Sequence, residues 1–71
     1  MKKQFRLGVI GCGFMAHSIL RGVILSDFLR AKKVIVSDVD LDKLQAVNDE
    51  LGVFFTKDNH YVAENSEFSA T

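Results

Sequence analysis

Three small residues near the amino terminus have the spacing of a phosphate-binding turn. Gly11, Gly13 and Ala16 form the pattern G-x-G-x-x-A, which is informative only between a strand and a helix. There the first glycine makes a tight turn, the second lets the backbone approach a diphosphate, and the alanine lets the helix pack close to the strand. The unpaired N–H groups at the start of the helix, at the positive end of its dipole, would hold the diphosphate.

The residues on both sides of this turn predict the strand and the helix that it needs. Residues 5–10 place apolar groups on both faces, as in a parallel strand covered on both sides. After the turn, apolar residues recur at helical spacing, and we expect this helix to end near Leu29. Gly22 lies inside it, which suggests that something packs close there. The apolar stripe consists of Met15, Ala16, Ile19, Leu20, Val23 and Ile24.

The same alternation continues, with strands predicted at 33–37 and 53–56, a helix capped by Asp40 and a last short helix capped within Asp58-Asn59. Gly52 lies where a helix C-cap glycine belongs, and the last helix should run to about Asn65. This pattern predicts an α/β fold, the βαβαβα half of a Rossmann-like doubly wound parallel sheet. The expected strand order is 3-2-1.

Asp38 provides a second indication of a nucleotide site. It follows the predicted second strand and lies 22 residues after Ala16. An acidic residue at about this distance hydrogen-bonds the ribose hydroxyls of adenosine. A turn that used glycine for geometry alone and Asp38 for capping alone would not require both features at this spacing. Together they predict a nicotinamide dinucleotide cofactor.

These motifs resemble the amino terminus of pyrroline-5-carboxylate reductase. The likeness includes residues 9–16, Arg21-Gly22, residues 35–38, residues 51–53 and Asp58-Asn59, and it runs from about residue 5 to residue 67. That family reduces the cyclic imine pyrroline-5-carboxylate to L-proline in proline biosynthesis, with a hydride from NADPH or NADH. The resemblance implies that this chain is a nucleotide-binding part of such an enzyme.

The resemblance also implies which residues meet the cofactor. The diphosphate would lie on the loop from Ile10 to Ala16, Ser37 and Asp38 would meet the adenosine ribose or its 2′-phosphate, and Asn59 would contact the cofactor. The predicted cofactor-binding residues are Ile10, Gly11, Cys12, Gly13, Phe14, Met15, Ala16, Ser37, Asp38 and Asn59.

Three of these residues affect how the cofactor would bind. Phe14 replaces the Asn or Gln usual in the family, and its side chain cannot hydrogen-bond a phosphate or a ribose. The carboxylate of Asp38 would repel a 2′-phosphate, which favours NADH over NADPH. The hydroxyl of Ser37 could serve either cofactor.

At 71 residues the chain has room for about one of the two halves of a dinucleotide-binding domain. We therefore expect residues 1–71 to be a truncated amino-terminal portion, without the catalytic and dimerisation domain. No catalytic residue is identifiable, and pyrroline-5-carboxylate would bind only to the full-length protein. Residues 68–71 are too short and polar for a fourth strand, so the open edge of the first strand should promote self-association.

The composition of the chain argues against several other kinds of partner and site. Nine basic and nine acidic residues balance, which does not favour nucleic acid or a membrane surface as a partner. The single cysteine suits a reducing cytoplasm, and the apolar runs are too short to cross a membrane. Four acidic residues lack metal-loop spacing, so we expect no metal site. They are Asp40, Asp42, Asp49 and Glu50.

The remaining polar residues have structural interpretations. Cys12 has no catalytic partner at a recognisable spacing and is expected to be a small spacer. His17, His60 and Tyr61 are expected on helix surfaces, while Met15 and the phenylalanines are expected in the core. Two alternatives stay open, another dehydrogenase of the hydroxyacid or prephenate type and a non-catalytic dinucleotide-binding module.

Overall fold

Strands and helices alternate along the chain. The computed structural model describes residues 3–11 and 13–70, apart from the side chain of Met15. The strands are β1 (Phe5–Ile10), β2 (Val34–Ser37), β3 (Phe54–Thr56) and β4 (Ser66–Ala70). The helices are α1 (Phe14–Leu25), α2 (Leu41–Leu51) and α3 (Asn59–Asn65), and a single 3₁₀ turn, Ala31–Lys33, leads into β2.

The strands form one parallel sheet in the order β3-β2-β1-β4. Ile10 is paired with Ser37, so the carboxyl ends of β1 and β2 finish side by side. On the other side of β2, Ser37 is paired with Thr56 of β3. The predicted α/β class and the order 3-2-1 of the first three strands are confirmed.

The prediction that no fourth strand follows Ser66 is wrong. β4 lies parallel to β1, from the pair of Phe5 with Ser66 to the pair of Val9 with Ala70. Ser66 is buried, but the other four residues of β4 are exposed, so the segment lacks the apolar alternation that predicts a strand. Because β4 pairs with this edge of β1, the predicted self-association through an open β1 edge is also wrong.

Apolar side chains cover both faces of the sheet. Alternate residues of β2 point to opposite faces, and accordingly Ile35 joins Phe5 and Val62 of α3 in a small cluster. The larger cluster lies on the side of α1 and α2. Its buried members are Val9, Leu20, Val34, Val36, Leu44, Val47, Leu51 and Val53.

Helix α1 ends at Leu25, not near Leu29 as the apolar pattern predicts. Asp27 takes the left-handed conformation with φ 62°, and the N–H of Phe28 donates to the carbonyl of Val23 at 3.1 Å. This is the hydrogen bonding of a Schellman motif, in which a left-handed residue closes the helix. Apolar residues after this turn keep the helical spacing of the apolar stripe, although the helix itself has already ended.

The buried face of α1 is narrower than the sequence predicts. Leu20 is completely buried, with Ala16 and Ile24 packed against the same cluster. Ile19 is 55% exposed. A Cβ at Gly22 would meet no atom within 4 Å in the described part of the chain, so the expected close contact there is wrong.

The phenylalanines are mostly outside the core, contrary to the prediction. Phe5 is buried, with its ring centroid 5.5 Å from that of Phe54. Phe54 itself is half-exposed, and Phe14, Phe28 and Phe68 are 91%, 78% and 66% exposed. Phe14, the most exposed of these, lies next to the glycine turn.

The caps of α2 and α3 form as the sequence predicts. The carboxylate of Asp40 accepts from the N–H groups of Asp42 and Lys43, at 3.0 and 3.3 Å, which satisfies two otherwise unpaired donors. Gly52 closes α2 with φ 75°. The carboxylate of Asp58 caps α3 in the same way. The caps at Asp40 and Asp58 fix where the loops at the carboxyl edge of the sheet end, while Gly52 closes α2 at the opposite edge.

Candidate functional site

The glycine turn lies at the carboxyl edge of the sheet, between β1 and α1. Gly11 has φ 94°, and its N–H donates to the carbonyl oxygen of Ser37 at 2.7 Å. Gly13 is the N-cap of α1, without a side-chain cap and without an acidic residue in the first turn. The first N–H groups of α1 therefore lack a capping side chain among the described residues, as an anion site requires.

The space around the two glycines is open. A Cβ built on Gly11 or on Gly13 would meet nothing within 4 Å among residues 3–11 and 13–70, and both glycines are exposed. No described protein atom fills the place where a diphosphate would approach the backbone. Cys12 and the side chain of Met15 lie outside the described residues. The structure therefore does not test whether Cys12 is a small spacer, whether Met15 is in the core, or whether either residue contacts the cofactor.

Ser37 lies at the end of β2 and is completely buried. Its hydroxyl donates to the Oδ1 atom of Asn59 at 2.7 Å. The structure thus brings together two of the predicted site residues. It also changes the expectation for Ser37, because a buried hydroxyl that is bonded to Asn59 does not face a ligand in solution.

Asp38 follows Ser37 and is half-buried. Its Oδ1 atom accepts the backbone N–H of Asp40 at 2.9 Å, the hydrogen bond of an Asx-turn. Because the carbonyl of Ser37 accepts from Gly11, the carboxylate of Asp38 and the glycine turn belong to neighbouring loops. The sequence predicts this proximity from spacing alone.

Glu50 of α2 joins two side chains of α1. One of its carboxylate oxygens lies 2.7 Å from Nε2 of His17, and the other lies 2.8 Å from Nε of Arg21. His17 therefore lies against α2 and supports the packing of the two helices. Sequence reasoning missed this link, because the partners lie on separate helices and no local spacing connects them.

A cavity of about 190 Å³ separates the start of α1 from α2. A larger cavity of about 570 Å³ lies at the opposite end of the sheet, beside Lys3 and Lys33, which precede β1 and β2. Ligands of open parallel sheets bind outside the carboxyl ends of the strands. The smaller cavity therefore lies at the edge of the sheet where a ligand is expected, and the larger one does not. The lining residues of the smaller cavity are Gly13, Phe14, His17, Lys43, Ala46 and Val47.

The described residues bring no three His, Cys, Asp or Glu side chains together as a metal site would. Across residues 3–11 and 13–70 no helix has both the length and the apolar character to cross a membrane. His60 and Tyr61 are exposed on α3, as predicted. The hydroxyl of Tyr61 donates to Gln4 Oε1 at 3.3 Å.

Comparisons with known proteins agree with this geometry. The family described as NADP oxidoreductase coenzyme F420-dependent matches residues 6–69. Pyrroline-5-carboxylate reductase 2 of Dictyostelium discoideum is 29% identical over 59 residues, which make up 83% of this chain and 20% of that protein. A solved structure of a pyrroline-5-carboxylate reductase from Coxiella burnetii has a TM-score of 0.81 and 30% identity, and the match covers 96% of this chain. The chain spans only 26% of that structure.

Proposed function

The chain belongs to the family described as NADP oxidoreductase coenzyme F420-dependent, and we propose that it is the amino-terminal nucleotide-binding part of a pyrroline-5-carboxylate reductase. The observation that carries this proposal is the 2.7 Å hydrogen bond from the N–H of Gly11 to the carbonyl of Ser37. It brings the glycine turn beside Asp38, the residue that follows β2. The reaction proposed for the whole protein is the reduction of pyrroline-5-carboxylate to L-proline in proline biosynthesis. Imine binding and catalysis are not assigned to residues 1–71.

The open turn fits a dinucleotide. A Cβ would find free space at Gly13, and the first turn of α1 lacks a side-chain cap and an acidic residue, so its N–H groups suit a diphosphate. The nicotinamide, when bound, supplies the hydride. The residues proposed to hold the cofactor are Ile10, Gly11, Cys12, Gly13, Phe14, Met15, Ala16, Asp38 and Asn59, with Ser37 behind them.

Phe14 would serve the cofactor differently from the Asn or Gln usual at its position in pyrroline-5-carboxylate reductases. Its ring is 91% exposed at the start of α1 and lines the cavity between the turn and α2. An aromatic ring offers a flat apolar surface and no hydrogen bond to a phosphate. We therefore assign Phe14 an apolar contact with the dinucleotide.

Activity of the full-length protein tests the proposal. We expect oxidation of NADH that depends on added pyrroline-5-carboxylate, and no such oxidation by residues 1–71 alone. A full-length protein that binds NADH but does not oxidise it with the imine would contradict the reductase assignment and favour a non-catalytic dinucleotide-binding module. Reduction of NAD⁺ by a hydroxyacid or by prephenate, each of which donates a hydride to the cofactor, would favour another dehydrogenase.

We also propose that NADH binds more tightly than NADPH, because the Asp38 carboxylate repels a 2′-phosphate. Dissociation constants for both cofactors, measured with the full-length protein, check this preference. Asp38→Asn should narrow the difference between them, whereas Asp49→Asn, at the far end of α2, should not. Tighter binding of NADPH by the unmodified protein would contradict the charge argument.

A further inference from the structure

The hydrogen bond between Ser37 and Asn59 joins a buried group to an exposed one. Ser37 ends β2 between β1 and β3, where it is paired with Ile10 and Thr56 and is 0% exposed. Asn59 is the first residue of α3 and is exposed. Their side chains meet at 2.7 Å, with the hydroxyl donating to Oδ1.

This bond determines which end of the Asn59 amide can meet a ligand. A carboxamide has an accepting oxygen and a donating NH₂ group, and an unrestrained side chain can present either one. With Oδ1 held by Ser37, the Nδ2 hydrogens are left to donate. A donor at this position suits a ligand rich in acceptor oxygens, such as a ribose or a phosphate.

Ser37 also links Asn59 to the glycine turn. Its carbonyl oxygen accepts the N–H of Gly11 at 2.7 Å, while its hydroxyl holds Asn59 at the same distance. One buried residue at the carboxyl end of β2 therefore fixes both the turn and the amide. Such support by a buried residue keeps a binding site in its productive geometry.

We propose that Ser37 is a positioning residue, whose buried hydroxyl orients the Asn59 carboxamide so that Nδ2 donates to an acceptor oxygen of the adenosine half of the cofactor. This inference rests on the proposed function, because it takes the dinucleotide as the ligand. Ser37 then acts through Asn59 and does not touch the cofactor with its own hydroxyl.

A double-mutant cycle in the full-length protein tests the inference with NADH as the probe. We expect Ser37→Ala and Asn59→Ala each to weaken NADH binding by about threefold to tenfold, the range expected for one hydrogen bond. The double variant should bind no more weakly than Asn59→Ala alone, because Ser37 acts only through that amide. Additive losses would overturn the inference.

Ser66→Ala is the matched control. Ser66 is 5% exposed, and its hydroxyl has no hydrogen-bond partner among the described residues. It opens β4 beside Phe5, at the amino end of β1, so its replacement removes a buried hydroxyl far from the turn. We expect unchanged NADH binding, and a loss equal to that of Ser37→Ala would overturn the inference.

The side-chain amide of Asn59 gives a second readout that needs no cofactor. In nitrogen-15 NMR spectra of the full-length protein, its Nδ2 group should be ordered, and Ser37→Ala should make it mobile on the nanosecond timescale. Equal order in both proteins would overturn the inference. If the unmodified protein bound neither NADH nor NADPH, both the proposed function and this inference would be wrong. Additive losses in a protein that binds NADH would contradict the inference alone.

Discussion

The backbone N–H of Gly11 donates to the carbonyl oxygen of Ser37 across 2.7 Å. The bond connects the turn after β1 to the last residue of β2 and fixes the direction in which the chain enters α1. Gly11 makes the bond at φ 94°, a conformation that only glycine adopts without cost. The geometry of the turn therefore depends on this residue, while Gly13 has an ordinary φ of −79°.

The two glycines of the turn should respond differently to alanine. Gly11→Ala should lower the free energy of unfolding by about 1–3 kcal/mol, because its backbone is held at positive φ. Gly13→Ala should cost at most about 1 kcal/mol, the difference between glycine and alanine as an N-cap. Urea unfolding of both variants measures this difference.

The Gly13→Ala variant also distinguishes an effect on NADH binding from an effect on stability. If the proposed function holds, Gly13→Ala should weaken NADH binding out of proportion to its small loss of stability, because the added methyl stands where the diphosphate approaches. Unchanged NADH affinity in a folded Gly13→Ala variant would contradict the assignment of the turn.

A second glycine pair tests the position of β4. A Cβ at Gly8 would lie 2.9 Å from Cβ of Ser66 and 2.5 Å from Cγ1 of Val62, so Gly8→Ala should cost about 1–3 kcal/mol through overpacking. Gly22→Ala is the control, since nothing lies within 4 Å of its site among the described residues. That change should raise the free energy of unfolding by about 1 kcal/mol, because alanine favours a helix interior. Equal effects would argue against the packing of β4 and α3 on β1.

Asp27 should limit stability at the end of α1. It adopts φ 62°, which costs an ordinary L-residue about 1–2 kcal/mol. Asp27→Gly should therefore raise the free energy of unfolding by about 0.5–1 kcal/mol, since glycine loses part of the gain as backbone entropy. Asp27→Ala keeps the Cβ and should give no gain. A stabilisation by alanine as large as that by glycine would show that the left-handed turn is not the cause.

Two leucines of α1 should differ in cost. Leu20→Ala should lower the free energy of unfolding by about 2–5 kcal/mol, because Leu20 is completely buried in the larger cluster. Leu25 is 71% exposed, and its replacement by alanine should change stability by no more than about 0.5 kcal/mol. Thermal unfolding of the two variants checks the orientation of the helix, which would be wrong if the costs were reversed.

The features that the sequence predicts correctly are local ones. The caps at Asp40, Gly52 and Asp58 use residue types whose preference for these positions acts within a few residues. The end of α1 was not predictable in this way, because Asp27 occupies a position where glycine is the usual signal. Apolar residues beyond it, such as Phe28, then extend the helical pattern past the real end.

Strand β4 could not be predicted from its own residues. A central strand shows its apolar faces in the sequence, but β4 exposes Glu67 and Phe68 together and buries only Ser66 among its described residues. Its pairing depends on the neighbouring edge of β1, a contact that no short pattern records. The candidate site shows the same limit, since Ser37 and Asn59 are identifiable singly while their hydrogen bond requires the folded sheet.

The pairing of β4 with β1 has a consequence for synthesis on the ribosome. Among the described strands β1 comes first in the chain, yet one of its two neighbours in the sheet is β4, which comes last. Until Ser66 and the residues after it emerge from the exit tunnel, β4 cannot form, and the backbone donors and acceptors of β1 on that side lack this partner. The nascent chain therefore forms this pairing only after the other three strands have been made, by a contact between residues far apart in the sequence, and such long-range contacts slow folding.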